Sequence, residues 1–415
     1  MRSKKTILTL VLLALAAARL EAQSVLTAGT KTPFKLTRTL GGNFLLAEGG
    51  TGANDGKVTL VSLWGNRYNL LSGLPSGVTP EGAALGPTGI ADAHGTIYIT
   101  IGEGDARIES PQPPQLLPNP AGPSAPIFSS LLRARFTPVP DGIRTGFALT
   151  SDDIASLTDG NEITLHNDSG ESVSLLVLTD FRDFVRDPVL IFRQSNPFGA
   201  AVVGSLTEED LAEFGFTGTL DDANFAAGLD PASPLGARLE QRTTVYVADA
   251  GMNTIVQVAA STGRPKVLTR FALVPNPLFP NIGGPVSDPV PTSVSVRADG
   301  TLLVTTLGGF PFAPGTSSVW NVDPATGAAT QWIQGLTRAT NVLEVGGAIY
   351  ALEVSTDLLA GAPGQLLRFD SPTATPVVVA GGLIGPTGLA YDPHRNELIV
   401  SETFTGLVKR IALSQ

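Results

Sequence analysis

The amino-acid sequence predicts an all-β fold, a six-bladed β-propeller closed by an N-terminal strand, with insertions carrying short helices and a β-hairpin. One β-rich run recurs six times: Asn43-Phe-Leu-Leu-Ala-Glu48, Ile97-Tyr-Ile-Thr-Ile-Gly-Glu103, Val245-Tyr-Val-Ala-Asp249, Leu302-Leu-Val-Thr-Thr306, Ile349-Tyr-Ala-Leu-Glu353 and Leu398-Ile-Val-Ser-Glu402. Only the fourth lacks an acid at or near its end. The closing positions lie 55, 146, 57, 47 and 49 residues apart, a period that suits a propeller blade. A second motif keeps the same phase. Gly86-Pro87-Thr88-Gly89, Asn196-Pro197-Phe198-Gly199, Val290-Pro291-Thr292-Ser293, Ala339-Thr340-Asn341 and Gly385-Pro386-Thr387-Gly388 each open a short strand with small residues, which lets strands crowd near an axis.

The elements follow in order. Residues 1–22 read as an export signal: Arg2, Lys4 and Lys5 precede an apolar stretch over 7–18, and Leu20-Glu21-Ala22 offers a cleavage site. The apolar stretch is shorter than the roughly 20 residues a spanning helix needs. Residues 23–415 are expected to form a single propeller, periplasmic or secreted. Residues 24–28 are expected to pair with 407–411, closing the ring and removing an exposed sheet edge. Between the paired strands, Asp92-Ala93-His94-Gly95, Asp299-Gly300, Gly346-Gly347 and the turn ending at Asn396 supply the positive φ angles of hairpins. Third strands are expected at 56–62, 131–136, 255–258, 318–322, 365–369 and 407–411, and outer strands at 68–71, 266–271, 330–333 and 376–379. The long gap is read as insertions at about 104–128, 137–192 and 204–243, grouped over one face. Within them, helices start at Thr150 and at the capping box Ser205-Leu-Thr-Glu208, and a hairpin turns at residues 167–170.

Composition excludes several functions. With no cysteine the chain cannot be a lipoprotein, a thiolate metal site or a cysteine enzyme. The formal charge is −10, and loss of the signal, with four basic residues and one acid, makes it −13. No basic patch awaits nucleic acid, and no further segment suits stable insertion into a membrane. Nucleophile-elbow, HExxH and phosphate-loop patterns are absent from the sequence.

Residues 291–296, Gly309-Phe-Pro-Phe-Ala-Pro-Gly315, Val319-Trp-Asn-Val322, Ser195-Asn-Pro-Phe-Gly199, Val245-Tyr-Val-Ala-Asp-Ala-Gly251 and the final Pro386-Thr-Gly-Leu-Ala390 resemble the ScyD/ScyE family of exported, NHL-like propellers. The resemblance covers nearly the whole of 23–415. It implies six blades outside the cytoplasm, in a family named for clusters that make the pigment scytonemin, and it implies no catalytic residues.

The recurring acids Glu48, Glu103, Asp249, Glu353 and Glu402 are the sharpest candidates. Brought to one height around an axis, they can bind a hard cation such as Ca²⁺ or hold perturbed protons, with Asn43, Asn253 and Asn341 as further oxygen donors. Equally, an acid ending a strand can accept backbone N–H bonds from the adjoining turn and serve only the scaffold. Phe310, Phe312 and Trp320, with Trp332, are candidate ligand contacts, or core. His94, His166 and His394 fall in hairpin turns and are expected to be exposed. The sequence therefore points to a non-enzymatic binding module with no required cofactor and an unknown protein or small-molecule partner. A calcium-dependent lactonase or esterase is the alternative.

Overall fold

The computed structural model describes residues 23–109, 116–181, 194–230 and 232–414, and the export signal read at 1–22 lies outside them. Six antiparallel sheets surround one axis, each with an inner, second, third and outer strand. The inner strands are Pro33–Arg38, Pro87–Ala93, Pro197–Val203, Pro291–Val296, Ala339–Val345 and Pro386–Asp392. The second strands are Phe44–Glu48, Thr96–Ile101, Thr244–Asp249, Leu302–Thr306, Ala348–Glu353 and Glu397–Glu402. Blade 6 takes its outer strand, Gln23–Ala28, from the start of the described chain, where it pairs antiparallel with Leu407–Ala412. Ring closure is as the sequence predicts.

The core lies between blades. Apolar residues alternate along the strands and face the next sheet, as Leu45, Leu60 and Leu71 of blade 1 do with Ile97, Ile99 and Leu132 of blade 2. The inner hairpins turn where positive φ is available, at His94 and Gly95, Gly300, Gly346 and Gly347, and Asn396.

Every inner strand carries a bulge at the small-residue motif, with register slipping at Pro33/Leu36, Pro87/Gly89, Pro197/Gly199, Pro291/Ser293, Ala339/Asn341 and Pro386/Gly388. The bulge frees the motif's threonine to bond the next blade. Thr88 donates to the Pro197 carbonyl at 2.6 Å, Thr292 to Ala339 at 3.1 Å, Thr340 to Pro386 at 3.0 Å and Thr387 to Pro33 at 3.1 Å. A Cβ on Gly89 or Gly199 would sit 3.0 Å from the neighbouring strand's Cα, which is why glycine serves there.

The insertions divide between the two faces. Second strands end, and third strands begin, on the face bearing the acids; the described parts of the connection between them in blade 2, 102–109 and 116–129, belong there. Residues 138–171 join a third strand to an outer one, and the described residues of 204–243 join an inner strand to a second one, so both leave the disc on the opposite face. The expected grouping over one face is therefore corrected: alternate connections in an antiparallel blade must emerge on opposite sides. The hairpin strand Ser172–Asp180 is itself the outer strand of blade 2, paired with Ser130–Thr137, and Ile163–His166 adds a fifth strand beyond it.

Among the described residues, four α-helices occupy the opposite face: α1 (Ser151–Thr158), α2 (Glu208–Phe214), α3 (Leu220–Leu229) and α4 (Pro234–Arg242). Thr150 caps α1 through a capping box with Asp153. The box of α2 is Thr207 with Asp210, two residues beyond the expected Ser205 and Glu208, because the Ser205 hydroxyl turns instead to the Leu206 carbonyl at 3.1 Å. The helical layer is anchored to the disc by Arg133, which bonds Glu240 at 2.6 Å and Glu162 at 3.1 Å. His166 and His394 are exposed, but Gly204 and Gly228 press on the hairpin of His94 and leave that ring half-buried.

Candidate functional site

Four of the acids end second strands, one strand out from the axis, and Glu103 lies two residues past the end of Thr96–Ile101; all five are buried, between 0% and 3% exposed. Each is engaged within its own blade. Glu48 accepts the Lys31 amide at 2.5 Å and the Thr59 hydroxyl, with Lys57 at 3.6 Å. Asp249 accepts the Asn196 and Met252 amides at 2.9 and 3.1 Å and the Ser195 hydroxyl. Glu353 accepts the Thr337 amide at 2.6 Å and the Gln365 carboxamide at 2.7 Å. Glu402 accepts the Ile384 amide at 3.0 Å, the Thr405 hydroxyl at 2.8 Å and the Lys409 ammonium at 2.6 Å. In four blades, then, the acid ties down the connection arriving from the previous outer strand. A propeller repeats that corner, so the acid repeats.

Glu103 differs. It pairs with Arg107, but its second oxygen is buried without a hydrogen bond, and burial pushes its carboxyl up to about 7 despite that guanidinium. Burial also raises Asp249 and Glu353, against the hydrogen bonds they accept.

The acids do not fit a shared Ca²⁺ site, which needs six to eight oxygens around one point. Among the described residues no group of three or more histidines or carboxylates is arranged to hold a metal. The asparagines are also spent separately: Asn43 on Asp141 and the Leu63 amide, Asn253 on Asp288 and the Val290 amide, Asn341 on the Thr387 carbonyl and the Val342 amide.

The axis holds residues that sequence reasoning did not single out. In blades 1 and 3 the motif's threonine is replaced by Phe34 and Phe198, whose rings meet edge to face at 5.2 Å. Lys35 follows Phe34, and its ammonium donates to the carbonyls of Thr387, at 2.8 Å, and Thr340, with the Phe198 ring 5.5 Å away. Among the described residues no carboxylate pairs with it, and burial lowers the amine to about 7. Lys35 also lines a channel of about 360 Å³ between the inner strands, shared with Asp92, whose carboxyl burial raises to about 7. The signal was present in the alignment: where blade 1 has lysine, the other five have Gly89, Gly199, Ser293, Asn341 and Gly388.

The aromatic candidates separate. Trp320 packs between blades 3 and 4 at 5.2 Å from Phe271, and its indole donates to Thr306 at 3.1 Å. Trp332 lies under the Arg297 guanidinium at 4.6 Å. Phe310 and Phe312, in contrast, sit together on the acid face, 6.0 Å apart, with Arg338 at 4.1 Å over Phe312. Phe312 and Arg338 both hold a left-handed backbone, at φ 62° and 54°. Phe310 is 49% exposed, and Gly283 of the preceding connection packs against it. That connection adds exposed Phe279, Ile282 and Val286, while Leu359, Ile384 and Phe404 are exposed on other acid-face connections.

No family model matches the chain, and no curated protein matches it in sequence. Solved structures similar to it include a gluconolactonase from Xanthomonas campestris, 9% identical over 97% of this chain and 93% of that one, with a TM-score of 0.46. Others are an oxidoreductase described as a glucose dehydrogenase from Thermus thermophilus, 13% identical over 94% and 99% with a TM-score of 0.44, and the PQQ-bound aldose sugar dehydrogenase of Streptomyces coelicolor, 12% identical over 94% and 98% with a TM-score of 0.43. At this identity and overlap no residue role or activity passes to this chain, whose six-bladed fold rests on its own strands.

Proposed function

We propose that the chain is an exported, non-enzymatic binding module of the ScyD/ScyE type, with its acid face as the recognition surface. The supporting observation is the apolar side chains standing in solvent there. Phe279, Phe310, Leu359, Ile384 and Phe404 are between 43% and 70% exposed, on connections from blades 3 to 6. Large apolar groups clustered on one surface mark recognition sites, because burying them against a partner recovers about 25 cal/mol per Å². The lactonase or esterase alternative requires several of the acids at a substrate, whereas the bonds that Glu48, Asp249, Glu353 and Glu402 accept spend them on the scaffold.

A neutral apolar dye such as Nile red tests the surface. Phe310→Ser and Phe404→Ser should each weaken its binding about threefold or more and leave the melting curve in place, since these side chains support little core. Equal binding by both variants would remove the acid face from consideration. Calcium-dependent hydrolysis of an aryl ester or lactone, lost in Glu48→Gln and Glu353→Gln, would instead establish the enzyme.

A further inference from the structure

The latching acids are not equivalent in charge. Glu48 has Lys57, Glu103 has Arg107 and Glu402 has Lys409. Asp249 lacks a cation but accepts a hydroxyl and two amides. Glu353 has only one amide and one neutral carboxamide, and the residue opposite it in the ladder is Gln365, where blade 1 places Lys57 opposite Glu48. A carboxylate in this setting lacks the countercharge that Glu48, Glu103 and Glu402 have, and accepts fewer hydrogen bonds than Asp249.

At that point the molecule has space. A groove of about 620 Å³ runs between blades 4 and 5 toward the rim, with Glu353, Thr337 and Gln365 at its polar end. Its apolar walls come from Ile333 and Leu336 of blade 4 and Leu367, Phe369 and Val378 of blade 5. This volume lies within the range of small-molecule sites, and a lining in which these apolar walls meet polar groups, Gln334, Thr356 and Thr373 besides those around Glu353, suits an amphipathic ligand.

We propose that this groove binds a small apolar amine, whose ammonium pairs with Glu353 as the ammonium groups of Lys57 and Lys409 pair with Glu48 and Glu402. The ammonium end supplies the countercharge missing from blade 5, and the apolar body covers Leu336, Leu367 and Phe369. The acidic balance of the chain favours approach of a cation. This site runs outward from Glu353 between two blades, and none of Phe279, Phe310, Leu359, Ile384 and Phe404 lines it.

Calorimetric titration of the full chain with 2-phenylethylamine, and with 2-phenylethanol as the uncharged counterpart, tests the assignment. The amine should saturate one site, and the alcohol should bind about tenfold more weakly or worse, the loss expected for one charge-assisted hydrogen bond in a desolvated site. Gln365→Lys, which builds the ammonium into the chain, should lower the amine's affinity about tenfold or more while the melting temperature holds or rises. Val378→Trp, which fills the groove, should abolish binding and serves if the lysine variant does not fold. Absence of saturable binding, equal binding of amine and alcohol, or amine affinity unchanged in the folded variant would each overturn the proposal.

Discussion

The two faces of the disc are built by different means. On the acid face, buried carboxylates hold the connections of four blades, and large apolar side chains stand in solvent beyond them. On the opposite face, α2 and α4 are joined by ion pairs, Asp210 with Arg242 at 2.6 Å and with Arg238 at 3.3 Å, and Arg242 holds the Asp210 carboxyl down to about 2. Arg133 ties this layer to blade 2. The helical insertions thus add a charged cover to one side, while these exposed apolar side chains stand on the other. In this propeller, the helical insertions and the exposed Phe279, Phe310, Leu359, Ile384 and Phe404 fall on opposite faces.

The largest effect should come from a change that belongs to neither face. Deleting residues 23–28 removes the outer strand of blade 6 and exposes Leu407–Ala412 as an edge, which should lower the melting temperature by roughly 5–10 °C. An unchanged melting curve would show that closure contributes nothing. Next, Glu402→Gln should cost on the order of 2 kcal/mol, because Lys409 loses its charge partner in a site 1% exposed on the Glu402 side. Arg238→Ala, whose side chain is 29% exposed, should shift the melting temperature by about a degree or less. Equal losses would erase the contrast between the faces.

A further effect should be seen only as a dependence on pH. Lys35 titrates at about 7 in the folded chain against an ordinary 10.5. Between those values the unfolded chain holds the extra proton, so Lys35 makes stability rise with pH across that window. Lys35→Met should remove that part of the slope, measured as chemical denaturation midpoints from pH 7 upward. A slope identical in both proteins would mean that the amine is not held in a desolvated site.

Period and spacing in the sequence exposed the blades and the closing strand, because one corner is built six times with nearly the same residues. The recurrence of Glu48, Asp249, Glu353 and Glu402 was legible for the same reason, and the hydrogen bonds explain it as a repeated need of backbone amides. Departures from the repeat were harder to read. Lys35, Phe34 and Phe198 matter because they break a motif, and their meeting across the axis depends on blades far apart in sequence. The faces of the insertions were decided by which strand ends they join, a fact carried by strand order and not by composition. The α2 cap moved from Ser205 to Thr207 because both offered a hydroxyl at a plausible spacing.

The pairing of Gln23 with Ile411 sets a timetable. At a synthesis rate of about 5–20 residues per second, the first strand waits roughly 20–80 s for its neighbour to exist. Five blades can assemble from nearby segments in that interval, while blade 6 must recruit a strand made before all the rest. Until then the strand is a free edge looking for a sheet, open to pairing with another copy of the same chain. An interval in which the chain is kept from folding, as during passage through an export channel, would place its two ends in competition for each other at the same moment and shorten that exposure.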